Sequence, residues 1–331
     1  MAMNKITILG AGGWAIGIAT VLSDNGHSVT MWSAVESEIE ELKNKGTNER
    51  CLPNVVISKS IKLTCDLKEA ICDAEIIVLA VASKFIRATA HRLQGILKPG
   101  TIVVNVAKGI EEKTCFTMGE IIKEELPSAK VCVLSGPSHA EEVARRLPTT
   151  VVVSGPDEET FKFLQDVFAS EVFRVYGSKD MLGIEIGGSL KNVIALAAGI
   201  ADGLGYGDNI KAALITRGIR EISRLAVKMG AKEATLYGLS GIGDLIVTCA
   251  SMHSRNRRAG ILIGKGKSCD EACKEVNQVV EGVISARAAL ELANKYDVSL
   301  PIVEQVNKVL FENLDPKEAV KELMLRDKKN E

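Results

Sequence analysis

The sequence predicts an α/β protein in two parts, a doubly wound parallel β-sheet followed by an all-helical domain. Apolar strand candidates alternate with helical stretches up to about residue 178, and a glycine-rich turn joins the first strand to the first helix. Beyond residue 178 only amphipathic helical patterns remain. We therefore expect a dinucleotide-binding domain at residues 1–178 and a helical substrate-binding domain at residues 179–331.

The strand candidates are rich in Val and Ile and have few polar positions, as expected for parallel strands covered on both faces. They fall at residues 5–9, 28–32, 75–81, 101–107, 130–134, 150–154 and 172–176. Helical patterns lie between most of them, at residues 16–25, 84–96, 116–125 and 158–169. In the second half, helices are predicted at residues 184–201, 210–229, 282–296 and 302–313.

Composition excludes several classes of protein. The 41 basic and 42 acidic residues give a net charge of −1, which argues against nucleic-acid binding. No apolar run approaches the roughly 20 residues of a membrane-spanning helix, so we expect a cytoplasmic protein without membrane insertion. The eight cysteines are scattered, and Cys269 and Cys273 have neither zinc-site spacing nor a nearby histidine. Reduced thiols and no metal site are expected.

The first strand runs into the motif Gly10-Ala11-Gly12-Gly13-Trp14-Ala15, and an apolar helix follows. Gly10 permits the tight turn, Gly12 lets the backbone approach a pyrophosphate, and Ala15 lets helix and strand pack closely. This strand–turn–helix context predicts a Rossmann-type fold with a nicotinamide dinucleotide, NAD(P)H, at the helix N-terminus.

The residues at the end of the second strand do not decide whether the cofactor carries a 2′-hydroxyl or a 2′-phosphate. NAD-binding proteins carry an acidic residue there, and NADP-binding proteins carry a basic one. Here Ser33, Ala34 and Val35 follow the strand. Ser33 can hydrogen-bond to either form, so the preference between NADH and NADPH stays undecided.

Lys108 and the segment 134–141 follow two further strands, at the edge where open α/β sheets bind ligands. A surface lysine beside a turn glycine is the alternative for Lys108. Gly136 and Ser138 would lie on the same edge, although Ser138 and Glu141 also have the spacing of a capping box. We interpret His139 as a helix-start residue rather than a catalytic base.

Lys191 and Asn192 interrupt a stretch of the helical half that is too apolar and rich in small residues for a surface helix. Burial lowers the pKa of a lysine toward the range in which it exchanges protons, so Lys191 is a candidate acid–base residue. A lysine that reaches solvent is the alternative.

Asp244 and Thr248 are four residues apart and share one helical face. Ser254, Arg255 and Asn256 then precede another helical run. A hydroxyl, a guanidinium and an amide at a helix N-terminus suit a phosphate dianion. A helix cap with a solvated arginine is the alternative.

Together these segments closely resemble the bacterial NAD(P)-dependent glycerol-3-phosphate dehydrogenase family, over nearly the whole chain. The matching blocks are residues 10–15, 48–53, 107–109, 134–140, 183–192, 238–249, 254–256 and 280–282. The resemblance implies reversible reduction of dihydroxyacetone phosphate to glycerol 3-phosphate, a precursor of glycerophospholipids. It implies that Lys191 accepts the proton during oxidation and donates it during reduction.

The resemblance also implies that Lys108 contacts both substrate and cofactor. The expected substrate residues are Lys108, Gly136, Ser138, Lys191, Asn192, Asp244, Thr248, Ser254, Arg255 and Asn256. The expected cofactor residues are Gly10, Gly12, Gly13, Trp14, Ala15, Ser33, Lys108, Ala140, Arg255, Val279 and Glu281.

Three departures from the family pattern are present. Gly13 stands where the family often has Ser, Ala34 and Val35 stand at its basic positions, and Cys51 replaces an aromatic residue. Two other functions remain as alternatives, a related hydroxy-acid dehydrogenase and a dinucleotide-sensing module without catalysis. The sequence leaves a homodimer open as the assembly.

Overall fold

The computed structural model describes residues 3–328 and residue 330, and these divide into two compact units. The sheet unit contains the described residues up to 108 together with residues 116–185. The helical unit contains residues 109–115 and the described residues from 186 onward. A division into folding domains at residues 178 and 179 stays a prediction.

The sheet unit is built on one eight-stranded sheet in the order β3-β2-β1-β4-β5-β6-β7-β8. The strands are β1 (Lys5–Leu9), β2 (Ser28–Trp32), β3 (Lys62–Thr64), β4 (Ile76–Leu79), β5 (Ile102–Asn105), β6 (Lys130–Ser135), β7 (Thr149–Ser154) and β8 (Phe173–Ser178). The first six strands have the order typical of dinucleotide-binding sheets, with the topological switch point between β1 and β4. This confirms the predicted fold class.

Two features of the sheet were not predicted. Strand β3 has only three residues and no apolar run, so its sequence carries little strand signal. Strands β6 and β7 pair antiparallel, whereas the sequence predicted a wholly parallel sheet. The Val-rich composition of β7 indicates burial but does not encode strand direction.

Helices cover both faces of this sheet. They are α1 (Gly13–Asp24), α2 (Glu36–Lys45), α3 (Leu67–Ile71), α4 (Ile86–His91, after a 3-10 turn at Ser83–Phe85), α5 (Met118–Glu125), α6 (Ala140–Val143) and α7 (Glu158–Phe168). Side chains alternate across the sheet, so Ile8 lies in one apolar core and its neighbour Leu9 in the other. The central strand β4 is therefore apolar and buried at every position.

The helical unit contains a π-helical turn at Leu239–Gly243 and the greater part of α8, which starts within the sheet unit. The helices are α8 (Met181–Gly203), α9 (Asp208–Lys228), α10 (Glu233–Leu236), α11 (Asp244–Ala250), α12 (Arg255–Gly264), α13 (Cys269–Val276), α14 (Glu281–Lys295), α15 (Pro301–Phe311) and α16 (Pro316–Met324). Helix α8 is long and apolar enough to cross a membrane, but 94% of that stretch is buried inside the protein. It is the core helix of this unit.

Small residues let the α8 and α12 backbones touch. A Cβ atom at Gly199 would lie 2.2 Å from the Arg257 carbonyl oxygen, and one at Gly260 would lie 2.3 Å from the Leu196 carbonyl oxygen. Larger side chains would force the helices apart. This approach brings the N-terminal turn of α12 against the middle of α8, where Lys191 and Asn192 lie.

The buried carboxylate of Glu221 on α9 makes stability depend on pH. It accepts hydrogen bonds from the backbone N–H groups of Ile302, at 2.9 and 3.1 Å, and Val303 at the start of α15. Burial raises the pKa of Glu221 to about 7 from 4.5. Between these values the folded chain holds a proton that the unfolded chain has lost, so raising the pH favours unfolding.

We expect the free energy of unfolding to fall between pH 4.5 and pH 7, by up to about 1.4 kcal/mol per pH unit from Glu221. Glu221→Gln removes this titration and makes the dependence shallower, whereas the exposed Glu312→Gln leaves it unchanged. Urea unfolding at several pH values measures the slopes. Equal slopes in Glu221→Gln and the unaltered chain would contradict this assignment.

Candidate active site

The glycine turn between β1 and α1 is shaped for an anionic ligand. Gly10 has a φ of +134°, and a Cβ atom there would lie 2.7 Å from the Ala80 carbonyl oxygen, so the position admits only glycine. A Cβ atom at Gly12 would meet no atom within 4 Å. Within this described segment, the start of α1 has no side-chain cap and no acidic residue in its first turn. Its N–H groups therefore suit a pyrophosphate, so these residues fit the predicted dinucleotide.

The loop at residues 47–52 lies over the glycine turn. The Asn48 side-chain amide donates to the Ala11 carbonyl oxygen at 3.0 Å, which fixes the loop. A Cβ atom at Gly13 would lie 3.0 Å from the Cys51 carbonyl oxygen and 3.6 Å from the Ala140 Cβ atom. This crowding gives a physical reason for glycine where the family often has serine.

Four other predicted cofactor residues of the sheet unit follow β2 or pack near this turn. Ala15 is fully buried in the apolar core, and Trp14 and Ala140 pack against that core. Ser33 directly follows β2 and donates its hydroxyl hydrogen bond to the Glu38 carboxylate at 2.7 Å. Glu38 was not predicted from the sequence because it lies inside α2, three residues beyond Val35.

Lys108 and Ser138 converge on one backbone carbonyl at the edge formed by the carboxyl ends of β5 and β6. The Lys108 ammonium donates to the Gly136 carbonyl oxygen at 3.0 Å, and the Ser138 hydroxyl donates to the same oxygen at 2.9 Å. Ser138 is therefore not the N-cap residue that its spacing from Glu141 allowed as an alternative. Helix α6 begins at Ala140 with His139 as its N-cap residue, in agreement with the helix-start interpretation of His139.

A buried acid that was not predicted from the sequence, Glu185, forms hydrogen bonds near this edge of the sheet. Glu185 accepts hydrogen bonds from the Gly119 N–H at 2.7 Å and from the Asn105 side-chain amide at 3.4 Å. Asn105 in turn bonds to both backbone groups of Ala107, the residue before Lys108. Burial raises the pKa of Glu185 to about 7. A lone acid within an apolar stretch was the sequence signal that could have revealed it.

Lys191 is buried in the helical unit and held by two side chains of α11. Its ammonium forms an ion pair with the Asp244 carboxylate and donates to the Thr248 hydroxyl oxygen at 2.7 Å. Lys191 is 6% exposed and Asp244 is 1% exposed. The alternative of a lysine that reaches solvent is therefore excluded.

The π-helical turn before α11 sets the position of Asp244. A Cβ atom at Gly187 on α8 would lie 2.8 Å from the Ser240 carbonyl oxygen in that turn. The turn thus lies directly against α8, one helical turn before Lys191. As predicted, Asp244 and Thr248 share one helical face, and the Thr248 hydroxyl also donates to the Asp244 carbonyl oxygen at 2.6 Å.

Asn256 joins three helices of the helical unit. Its side-chain N–H donates to the Asn192 amide oxygen at 2.9 Å, and its own amide oxygen accepts from the Gly282 N–H at 2.8 Å. Gly282 lies in the first turn of α14, directly after Glu281 and close to Val279. These bonds bring the predicted residues of α8, α12 and α14 together.

Ser254, Arg255 and Asn256 form the cap and first turn of α12, which matches the alternative of a helix cap with a solvated arginine, and the phosphate site stays a prediction. Ser254 is the N-cap residue, and its hydroxyl oxygen accepts the Arg257 N–H at 3.2 Å. Arg255 is exposed at the first helical position, and this described first turn contains no acidic residue. The helix end and the guanidinium both favour an anion.

The described residues give no sign of metal or disulfide chemistry. Among residues 3–328, no group of three or more His, Cys, Asp or Glu side chains could hold a metal ion. All eight cysteines lie within that range and are free thiols.

Comparison with known proteins agrees with this geometry. The N-terminal domain of NAD-dependent glycerol-3-phosphate dehydrogenase matches residues 5–161, and its C-terminal domain matches residues 180–321. Glycerol-3-phosphate dehydrogenase [NAD(P)+] of Fusobacterium nucleatum is 60% identical, over 99% of each chain. The Agathobacter rectalis enzyme of the same name is 60% identical, over 99% of this chain and 98% of its own.

Solved structures extend the comparison. Glycerol-3-phosphate dehydrogenase of Coxiella burnetii superimposes with a TM-score of 0.95 at 38% identity, over 98% of this chain and 99% of its own. A ketopantoate reductase of Ralstonia eutropha has a TM-score of 0.62 at 15% identity, over 96% of this chain and 99% of its own, so it shares the fold alone. The family models and the relatives together cover both units, and the chain belongs to the NAD-dependent glycerol-3-phosphate dehydrogenase family.

Proposed function

We propose that this chain is an NAD(P)-dependent glycerol-3-phosphate dehydrogenase that interconverts dihydroxyacetone phosphate and sn-glycerol 3-phosphate. The observation that carries the proposal is the buried ammonium of Lys191 between Asp244 and Thr248. The substrate and the class of cofactor are inferred from the family to which the chain belongs. The product would supply the glycerol backbone of phospholipids.

The cofactor would be held mainly by the sheet unit. Its residues are Gly10, Gly12, Gly13, Trp14, Ala15, Ser33, Lys108 and Ala140, and the helical unit would add Arg255, Val279 and Glu281. The bound nicotinamide ring would supply hydride for ketone reduction and accept it for alcohol oxidation.

Lys191 would carry the proton of the reaction on its Nζ atom. As the ketone is reduced, negative charge grows on its oxygen, and an adjacent ammonium stabilises that charge and then donates a proton. In the reverse direction the amine accepts the hydroxyl proton. Asp244 acts as a positioning residue because it holds the ammonium at a fixed place in a buried site.

The substrate phosphate would bind at the start of α12. Ser254, Arg255 and Asn256 lie in the cap and first turn of that helix, where its dipole and the guanidinium both attract a dianion. Binding energy gained at the phosphate would orient the ketone for reaction. Lys108, Gly136, Ser138 and Asn192 complete the proposed substrate set, together with Thr248.

The proposed location and partners rest on the same family. We propose a cytoplasmic enzyme that inserts into no membrane, since the longest apolar helix is buried inside the helical unit. The balanced charge disfavours binding to nucleic acid. A homodimer stays a prediction that sedimentation of the purified chain tests.

Two alternatives remain distinguishable by experiment. A hydroxy-acid dehydrogenase shares the fold, as the ketopantoate reductase does, but its substrates carry a carboxylate in place of a phosphate. A sensing module would bind the dinucleotide without catalysis and without any need for Lys191.

Oxidation of NADH and NADPH with dihydroxyacetone phosphate, beside a panel of 2- and 3-keto acids, tests the proposal directly. We expect turnover with the phosphate ester and little with the acids, because the start of α12 suits a dianion. Turnover with an acid but none with the phosphate ester would contradict the assignment.

Lys191→Ala is expected to lower turnover at least roughly a hundredfold, as for a lost general acid, while the cofactor dissociation constant changes by a few-fold at most. Because the variant leaves Asp244 buried without its cation, circular dichroism must confirm that it folds. Lys211→Ala removes another lysine–carboxylate pair of the helical unit, Lys211 with Asp202 at 2.9 Å, and should keep normal turnover. An unchanged rate in Lys191→Ala would refute the role.

Arg255→Ala is expected to raise the KM for dihydroxyacetone phosphate by roughly tenfold or more, with a smaller change in kcat, because a charge-assisted contact to phosphate is lost. Arg220→Ala removes another exposed arginine of the helical unit and serves as the matched control. Steady-state kinetics on both variants measure the KM for dihydroxyacetone phosphate. A KM in Arg255→Ala equal to that of the control would count against the phosphate site.

A further inference from the structure

The end of β2 and the loop at residues 47–52 both lie against the glycine turn of the sheet unit. The Gly10 N–H donates to the carbonyl oxygen of Trp32, the last residue of β2, at 2.7 Å. The loop at residues 47–52 is tied to the same turn through Asn48 and Ala11, at 3.0 Å. Side chains carried by these segments therefore lie near the turn proposed to hold the pyrophosphate.

Glu38 places a carboxylate at the end of β2 although the residues directly after the strand are not acidic. It lies in the first turn of α2, and its Oε2 atom accepts a hydrogen bond from the Ser33 hydroxyl at 2.7 Å. That hydroxyl oxygen accepts in turn from the Val35 N–H at 3.1 Å. The carboxylate is thus directed back toward the strand end.

Arg50, in the loop at residues 47–52, contacts the other carboxylate oxygen. Its Nη2 atom donates to Glu38 Oε1 at 3.1 Å. The Glu38 side chain is 19% exposed and the Arg50 side chain is 61% exposed, so the carboxylate is sheltered and the cation lies in solvent. Solvent weakens the neutralising effect of Arg50 on the carboxylate.

The charge at this position decides which dinucleotide binds. In Rossmann-type sheets an acidic residue after the second strand accepts a hydrogen bond from the ribose 2′-hydroxyl of NAD, whereas a basic residue accommodates the 2′-phosphate of NADP. A carboxylate beside a 2′-phosphate adds like-charge repulsion. The Glu38 carboxylate can accept the hydrogen bond from the 2′-hydroxyl of NAD. Arg50 limits the repulsion between this carboxylate and the 2′-phosphate of NADP.

We propose that Glu38, positioned by Ser33 and partly neutralised by Arg50, determines cofactor specificity, so that the chain binds NADH more tightly than NADPH. This inference rests on the proposed dinucleotide-dependent function. The preference for NADH thus depends on Glu38 inside α2 and on Arg50 in the loop at residues 47–52, rather than on the residues directly after β2.

Titration of the purified full chain with NADH and NADPH, followed by quenching of tryptophan fluorescence, tests the inference without any turnover. We expect NADPH to bind the unaltered chain roughly tenfold more weakly than NADH, a modest effect for a partly screened like charge. Glu38→Gln should tighten NADPH binding until the two dissociation constants agree within about threefold. Arg50→Gln should widen the difference because the Glu38 charge is then uncompensated.

Glu40→Gln is the matched control, since it removes the same charge from an exposed position of α2 and should leave the ratio of dissociation constants unchanged. A ratio in Glu38→Gln equal to that of the unaltered chain would overturn the inference, as would tighter binding of NADPH than NADH by the unaltered chain. Either result leaves the dinucleotide-dependent function standing. Binding of neither nucleotide by the unaltered chain would overturn both proposals.

Discussion

The ion pair between Lys191 and Asp244 is the interaction on which the helical unit depends. Both groups are almost fully buried, and neither would be stable there alone, because an unpaired buried charge destabilises a fold strongly. Thr248 supplies a further hydrogen bond to the ammonium. The pair therefore requires α8 and α11 to be held at a fixed distance, and it leaves a proton-carrying group in a dry site.

Close backbone contacts provide that fixed distance. Gly187 allows the π-helical turn to touch α8 just before Lys191, and Gly199 and Gly260 allow α12 to touch it just after. The hydrogen bond from the Asn256 side-chain amide to the Asn192 amide oxygen then links the helix that carries the lysine to the helix that begins with Arg255. The proposed acid–base group and the proposed phosphate site are thus parts of one rigid arrangement within the helical unit.

The sequence predicted the features that depend on residue type and spacing, and it failed where long-range contacts or side-chain orientations decide. The glycine turn, the buried Lys191 and the Asp244–Thr248 face each follow from residue type and spacing along the chain. The direction of β7 depends on which segments meet in space. The Ser138 hydrogen bond to Gly136 and the reach of Glu38 back to Ser33 are local contacts, and they depend on side-chain orientations that residue type and spacing do not specify. Glu185 was visible as an acid in an apolar stretch, but its partners Asn105 and Gly119 lie far away in the sequence.

Chemical rescue tests most directly whether the Lys191 amine acts in the reaction. Lys191→Ala leaves a cavity lined by Asp244 and Thr248, in which a small amine such as methylammonium can take the place of the lost group. We expect turnover of this variant with dihydroxyacetone phosphate to increase and saturate as methylamine is added, while the unaltered enzyme does not respond. A folded, cofactor-binding variant whose rate stays flat over the same range of amine concentrations would contradict it.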